Sequence, residues 1–160
     1  MKRRQIFGCF VVWLICFALP AIARQTNTTQ QPFTITISAD HPEVKAGSRV
    51  CVLVHLVNSS KDLPMSHVYV NGMDAQFRYE IRDERGNVLP KKVWTYPVTI
   101  SPHGNGVLKG NDALSTEQCP SMLYDMTKPG EYKIQVFRPK SDNPKDGEIE
   151  SNIATVTVVR

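Results

Sequence analysis

Residues 77–82 read FRYEIR, and their alternation decides the fold: Phe77, Tyr79 and Ile81 are apolar, while Arg78, Glu80 and Arg82 are charged. A period of two places the apolar set on one face of a strand and the charges on the other, as in a strand lying between a core and water. The same period returns on either side. Phe33, Ile35 and Ile37 alternate with Thr34, Thr36 and Ser38, and Ala154, Val156 and Val158 alternate with Thr155 and Thr157. Residues 49–57, RVCVLVHLV, are apolar on both faces, which predicts a central strand covered on both sides.

Turn formers punctuate these runs. Ala46-Gly47-Ser48 precedes the Val50 strand and Asn58-Ser59-Ser60 follows it; residues 83–87, DERGN, predict a hairpin loop leading to Val88-Leu89. Pro129-Gly130 opens a strand over residues 132–138, and Asp146-Gly147 marks the hairpin that returns the chain to its last strand. No stretch after residue 24 has a helical period. A chain of 160 residues, 41% hydrophobic and 21% charged, is large enough to bury a core and too weakly charged for disorder. The pattern predicts an all-β, two-sheet antiparallel sandwich of about seven strands over residues 32–160.

The first residues read as an address. MKRR is followed by residues 6–23, IFGCFVVWLICFALPAIA, without a charged side chain. A basic start, an apolar run, a helix-breaking Pro20 and the small-residue pattern Ala21-Ile22-Ala23 describe a secretory signal peptide over residues 1–23. An uncleaved anchor is the alternative, since 18 apolar residues lie at the short end of a membrane span. Residues 24–31, RQTNTTQQ, form a flexible polar tail.

Cleavage changes the arithmetic. It removes Lys2, Arg3 and Arg4 from 19 basic residues and none from the 15 acidic ones, so a net charge of +4 becomes about +1. The remaining lysines and arginines are dispersed, so no nucleic-acid partner is indicated, and a membrane is met only during export. Cys9 and Cys16 leave with the signal. Cys51 and Cys119 remain in an oxidising compartment, periplasmic or extracellular, where one disulfide is the expected pairing. A buried free thiol at Cys51 and an exposed reactive one at Cys119 are the alternatives.

Residues 123–136, LYDMTKPGEYKIQV, resemble the stretch of immunoglobulin-like sandwiches in which a loop crosses between sheets and enters the penultimate strand. With residues 50–58 similar to the second strand and residues 151–159 to the last, the chain resembles a bacterial immunoglobulin-like module of exported proteins. The resemblance implies that Tyr132 is the corner tyrosine that bonds back to the upstream backbone. It is nearly silent on function, because this sandwich hosts many activities. Ile134 stands where antibody-type domains carry a cysteine, and Cys119 falls in the loop before the corner. A Cys51–Cys119 bond would therefore tie a strand to a loop. Trp94 falls after the third strand rather than on it.

No enzyme motif emerges: G-x-S-x-G, H-E-x-x-H and a phosphate loop ending in G-K-[ST] are all missing from the sequence. Gly104, Gly106 and Gly110 predict a plain surface loop, and residues 142–148, DNPKDGE, a hairpin rather than a calcium loop. His55 is expected to be a partly buried imidazole with one hydrogen bond. Asn58 matches a glycan acceptor but is expected to be a strand-ending turn residue. Soft ligands for copper are Met65, His67 and Met73, with His41, His55, His103, Met122 and Met126 as further candidates. The main expectation is no cofactor and no metal.

Two aromatic-bearing insertions remain, residues 59–74 with Met65 and Tyr69, and residues 93–103 with Trp94 and Tyr96. They read either as recognition anchors or as caps on an open end of the sandwich. The expected function is an exported, non-enzymatic binding or structural module whose partner is a protein or cell-envelope component; the oligomeric state is not readable. The alternatives are a small protease inhibitor using residues 93–103, and a periplasmic copper carrier. N-terminal sequencing of the exported protein is expected to begin at Arg24; a start at Met1 in membrane-bound material would instead establish an anchor.

Overall fold

The computed structural model describes residues 31–70, 73–93 and 100–160, with residues 64–70 and 100–106 described by their backbone. The signal peptide, residues 1–23, and residues 24–30 of the tail lie outside the described residues. The strands are β1 (Phe33–Ala39), β2 (Glu43–Lys45), β3 (Val52–Asn58), β4 (Leu63–Val70), β5 (Met73–Asp74), β6 (Arg78–Arg82), β7 (Ile100–Leu108), β8 (Ala113–Gln118), β9 (Gly130–Pro139), β10 (Glu148–Glu150) and β11 (Ala154–Val159). The helical elements among the described residues are two 3-10 turns, at Pro120–Met122 and Pro144–Asp146.

The chain is all-β, and its strands form antiparallel sheets. One layer has the order β1-β3-β8. In the other, β9 is central, with β6 along one edge and β10 and β11 along the opposite edge. Beyond β11 lies β2, whose pairing is parallel. Between β1 and β2 the chain changes layers at residues 40–42, where Thr157 N–H donates to the Pro42 carbonyl at 2.8 Å.

The alternating runs meet over one core. Phe33, Ile35 and Ile37 of β1 and Val52, Val54 and Leu56 of β3 join one buried cluster with Tyr79, Ile81, Ile134, Val136, Val156 and Val158 of the other layer. Ile81 and Ile134 are register partners, both 0% exposed. Each such burial is worth roughly 1.5–3 kcal/mol.

The structure corrects three expectations. β3 is central, between β1 and β8, but is covered on one face only: Leu53 is 43% exposed and His55 and Val57 are half-buried. Among the described residues no layer lies above the outer face of that three-stranded sheet, so hydrophobicity alone overstated the cover. Val88-Leu89 forms no strand; a single bridge, Arg82 with Val88, and the bond from Leu89 N–H to the Ile81 carbonyl close the 83–87 turn. Gly104 and Gly106 stand within β7, not in a loop.

At Asn58 the β3–β8 ladder ends and a second ladder, β4–β7, begins after short turns on both strands. Asn58 is fully buried. Its Nδ2 donates to the Lys61 carbonyl, to that of Leu108 at 2.8 Å and to that of Lys109 at 3.0 Å. Its Oδ1 accepts from Ser60 N–H and Ser60 Oγ, both at 3.0 Å. One side chain thus holds both turns together, and an amide so enclosed carries no glycan. On the facing turn, Asn111 has φ 68°, and a Cβ on Gly110 would meet the Ser60 carbonyl oxygen at 2.6 Å, so glycine is the residue that fits.

Asn58→Ala is expected to lower the unfolding free energy by roughly 2–4 kcal/mol in urea denaturation, because buried carbonyls lose their donor. A loss below about 0.5 kcal/mol, the range of ordinary surface substitutions, would show that the turns hold without it.

Candidate functional site

Two features stand outside the regular sandwich. The first is the corner where β3 begins and β8 ends. Val52 is opposite Gln118 in register, and Cys51 and Cys119, one step beyond on each strand, form a disulfide with a sequence separation of 68. The bond therefore joins the residue before β3 to the residue after β8, beside the ends of two adjacent strands of one layer, with Cys119 in the loop that precedes the Tyr132 corner. With both sulfurs bonded to each other, Cys51, Cys119 and the nearby Glu117 supply no thiolate pair for a metal.

Beside the disulfide, Gln118 is 1% exposed and serves as a hub. Its Oε1 accepts from Asp74 N–H at 2.9 Å and from Tyr79 Oη at 3.0 Å, while Nε2 donates to Thr116 Oγ1 at 3.2 Å. Asp74 Oδ1 accepts Gln76 N–H at 2.9 Å, and Gln76 Oε1 accepts from Arg138 Nη2 at 2.9 Å. The Arg138 guanidinium lies 4.8 Å from the centre of the Phe33 ring. Burial pushes the Tyr79 hydroxyl far above the ordinary phenol range, so it stays protonated and donates. Burial draws Arg138 below its usual value, with the Asp74 and Asp142 charges opposing the shift. The network ties β5, β8, β6 and β9 together. Met73, at 2% exposure, accepts the Cys119 N–H on its sulfur at 3.2 Å, so its thioether belongs to the core and not to an accessible copper site.

The second feature is the ladder of β4 and β7. Residues 59–74 and 93–103 are not two independent loops: residues 63–70 of the first run antiparallel to the end of the second and its continuation as one ribbon. Leu63 is opposite Leu108, Met65 opposite Gly106 and Tyr69 opposite Ser101, with a shift of register between Ser66 and Val68. β5 adds to the far side of β4 through Tyr69–Asp74 and Val70–Met73. β4 is thus central in a third sheet, and among the described residues the outer edge of β7 is unpaired. Pro102, Gly104 and Gly106 on that edge are residues that sheet edges tolerate.

Met65, His67 and Tyr69 therefore stand on β4 and His103 on β7. Trp94 and Tyr96 lie outside the described residues, as do residues 94–99 of the stretch assigned to protease inhibition. At the sandwich corner Tyr132 Oη donates to the Lys128 carbonyl at 2.9 Å. His55 is half-buried, with Nδ1 2.8 Å from Ser115 Oγ on the open outer face of the β1-β3-β8 sheet. Proton transfer is within reach of that pair, but among the described residues no carboxylate orients the ring, and an exposed sheet face supplies no substrate cleft. Glu80, Arg82, Lys133, Gln135 and Ile153 line a shallow depression on the other layer.

These features define an all-β chain of two packed layers with an added ribbon. No family model matches it, and no curated protein matches it. Among solved structures, an alkylpurine DNA glycosylase of Pseudomonas fluorescens bound to DNA with an abasic-site analogue is similar over 82% of this chain and 31% of its own, at 14% identity and a TM-score of 0.43. A β-glucosidase of Erythrobacter marinus matches over 79% of this chain and 15% of its own, at 17% identity and a TM-score of 0.39. The PapD-like ASH domain of human CEP192 matches over 98% and 100%, at 14% identity and a TM-score of 0.37. Likenesses this distant attach no activity to this chain.

Sequence reasoning missed Gln118 and the pairing of the two insertions. A glutamine one residue before a cysteine carries no burial signal, and β4 and β7 contain too many prolines and glycines to alternate cleanly. Replacing Cys51 and Cys119 together by serine is expected to cost roughly 4 kcal/mol of stability in guanidinium denaturation, the loop-closure entropy of a span this long. An unchanged midpoint, or two alkylatable thiols in native material, would contradict the disulfide's role.

Proposed function

We propose that the chain is exported and acts as a non-enzymatic binding module, with the β4–β7 ribbon as its recognition element and a protein or cell-envelope component as its partner. The observation that carries this proposal is the ribbon itself: the two insertions that hold Met65, Tyr69 and His103 form one paired element, rooted at the buried Asn58. An open strand edge is a recurring template for protein recognition. Export is supported by residues 1–23 and by the Cys51–Cys119 disulfide, a bond that persists in oxidising compartments. Among the described residues, no helix is long and apolar enough to cross a membrane.

Crosslinking capture from the native cell envelope tests the proposal. Tyr69→Ala and Trp94→Ala are each expected to reduce recovery of the captured partner by roughly tenfold or more, the loss of one anchor residue, with folding intact by circular dichroism. Undiminished recovery with both variants, or equal loss from Leu53→Ser on the outer face of the first layer, would overturn it.

A further inference from the structure

Hydrogen-bond parity decides which groups of the β1-β3-β8 layer point off its edges. Asn58 N–H donates to the Asp112 carbonyl, and Ser59 N–H donates to that of Pro32. In an antiparallel ladder the bonded positions recur every second residue, so the even residues of β3 bond to β8 and the odd ones to β1. By the β3–β8 register Leu114, Thr116 and Gln118 face β3, which directs the N–H and C=O groups of Ala113, Ser115 and Glu117 away from the sheet. Cys119 N–H, the next in that row, is taken by the Met73 sulfur at 3.2 Å. Among the described residues no strand pairs with this side of β8.

Other edges are closed or broken. On β1, Asn152 Oδ1 accepts Ile37 N–H at 2.8 Å and Nδ2 donates to the Ile37 carbonyl at 2.9 Å, so one amide takes the place of a neighbouring strand. On β6, Leu89 N–H and Tyr124 Oη occupy the Ile81 and Tyr79 carbonyls at 2.8 and 2.9 Å. β2 is three residues long with Glu43 and Lys45 exposed, and β7 carries Pro102. Short strands, charges, prolines and covers are the means by which sheet edges avoid pairing with another chain. β8 has six residues, no proline, no glycine and one charge, Glu117. We propose that β8 pairs antiparallel with β8 of a second copy of this chain, joining two three-stranded layers into one continuous sheet. Two-fold symmetry sets the strand against itself, so the same outward groups serve both sides. An axis at Ser115 pairs Ser115 with the second copy's Ser115 and Ala113 with the second copy's Glu117, which uses all three outward residues and holds the two Glu117 carboxylates at opposite ends of the new ladder. An axis at Thr116 would bring those carboxylates to diagonal positions, roughly 7–8 Å apart. An axis at Leu114 would call on Asn111, whose φ of 68° is not extended. The pairing rests neither on the ribbon nor on a captured partner.

Sedimentation of the full exported, disulfide-bonded chain over a concentration series tests this. The expected result is a reversible monomer–dimer equilibrium with a dissociation constant in the micromolar to millimolar range, as a contact below the standard interface size gives. In a mixture of isotope-labelled and unlabelled chains, filtered NMR should show contact between the α-protons of Leu114 and Thr116 on different copies, the closely spaced pair of that register. Ser115→Pro removes the central donor without touching the β3 ladder, and Ser115→Lys sets like charges across the axis. Each should weaken dimerisation by about tenfold or more, the equivalent of one or two hydrogen bonds. Should the proline variant fail to fold, the lysine variant decides alone. Val107→Lys, on β7, should leave the equilibrium unchanged. A monomer at every concentration would overturn the proposal. So would a dimer that Ser115→Lys leaves equally tight, or one whose copies meet at Val107 instead of Leu114 and Thr116.

Discussion

The ribbon depends on one buried amide. Where β3 gives way to β4 and β7 to β8, both strands turn within a few residues, and the carbonyls of Lys61, Leu108 and Lys109 all face the buried Asn58 side chain. Backbone carbonyls left unpaired in an apolar setting cost enough to unfold such a turn. Asn58 supplies the donors, and its own oxygen is satisfied by Ser60. Gly110 completes the arrangement by leaving room for the Ser60 carbonyl. Without this arrangement the β3–β8 ladder has no fixed continuation, and the residues carried on β4 and β7 have no fixed register.

A second polar centre works at the opposite end of the same ladder. Gln118 binds the backbone of β5 and the hydroxyl of Tyr79 on β6, while Asp74, Gln76 and Arg138 extend the contacts to β9. The disulfide closes the ladder one step away. Hydrogen-bonded polar groups buried this deeply specify one arrangement of the layers where an apolar core tolerates several. β3 and β8 are therefore held at both ends, by covalent and hydrogen bonds at one and by hydrogen bonds at the other. The third sheet leaves from the Asn58 end and is tied back at the Gln118 end through β5.

What the sequence made legible follows from where water lies. β1, β6 and β11 have one wet and one dry face, so Phe33, Tyr79 and Val156 announce them by alternation. β3 misled because Leu53 and Val57 are apolar yet face outward. β4 and β7 were illegible for another reason. LPMSHVYV and ISPHGNGVL contain three prolines or glycines on one strand and a Ser-His pair on the other, and their pairing spans a segment that includes all of β6. The cysteines were legible as a pair from compartment and count, but their position at the end of a ladder was not, since it depends on the β3–β8 register. His103 looked like a loop residue until that longer pairing placed it on β7.

The two insertions form one ribbon whose register steps once, between Ser66 and Val68. Cross-strand proton contacts measured by NMR test it most directly. Backbone contacts are expected to link residues 63–66 to residues 105–108 and residues 68–70 to residues 100–102, with the register stepping by one residue opposite His67. Contacts in a different register, or none between the two segments while β3 and β8 remain paired, would contradict it.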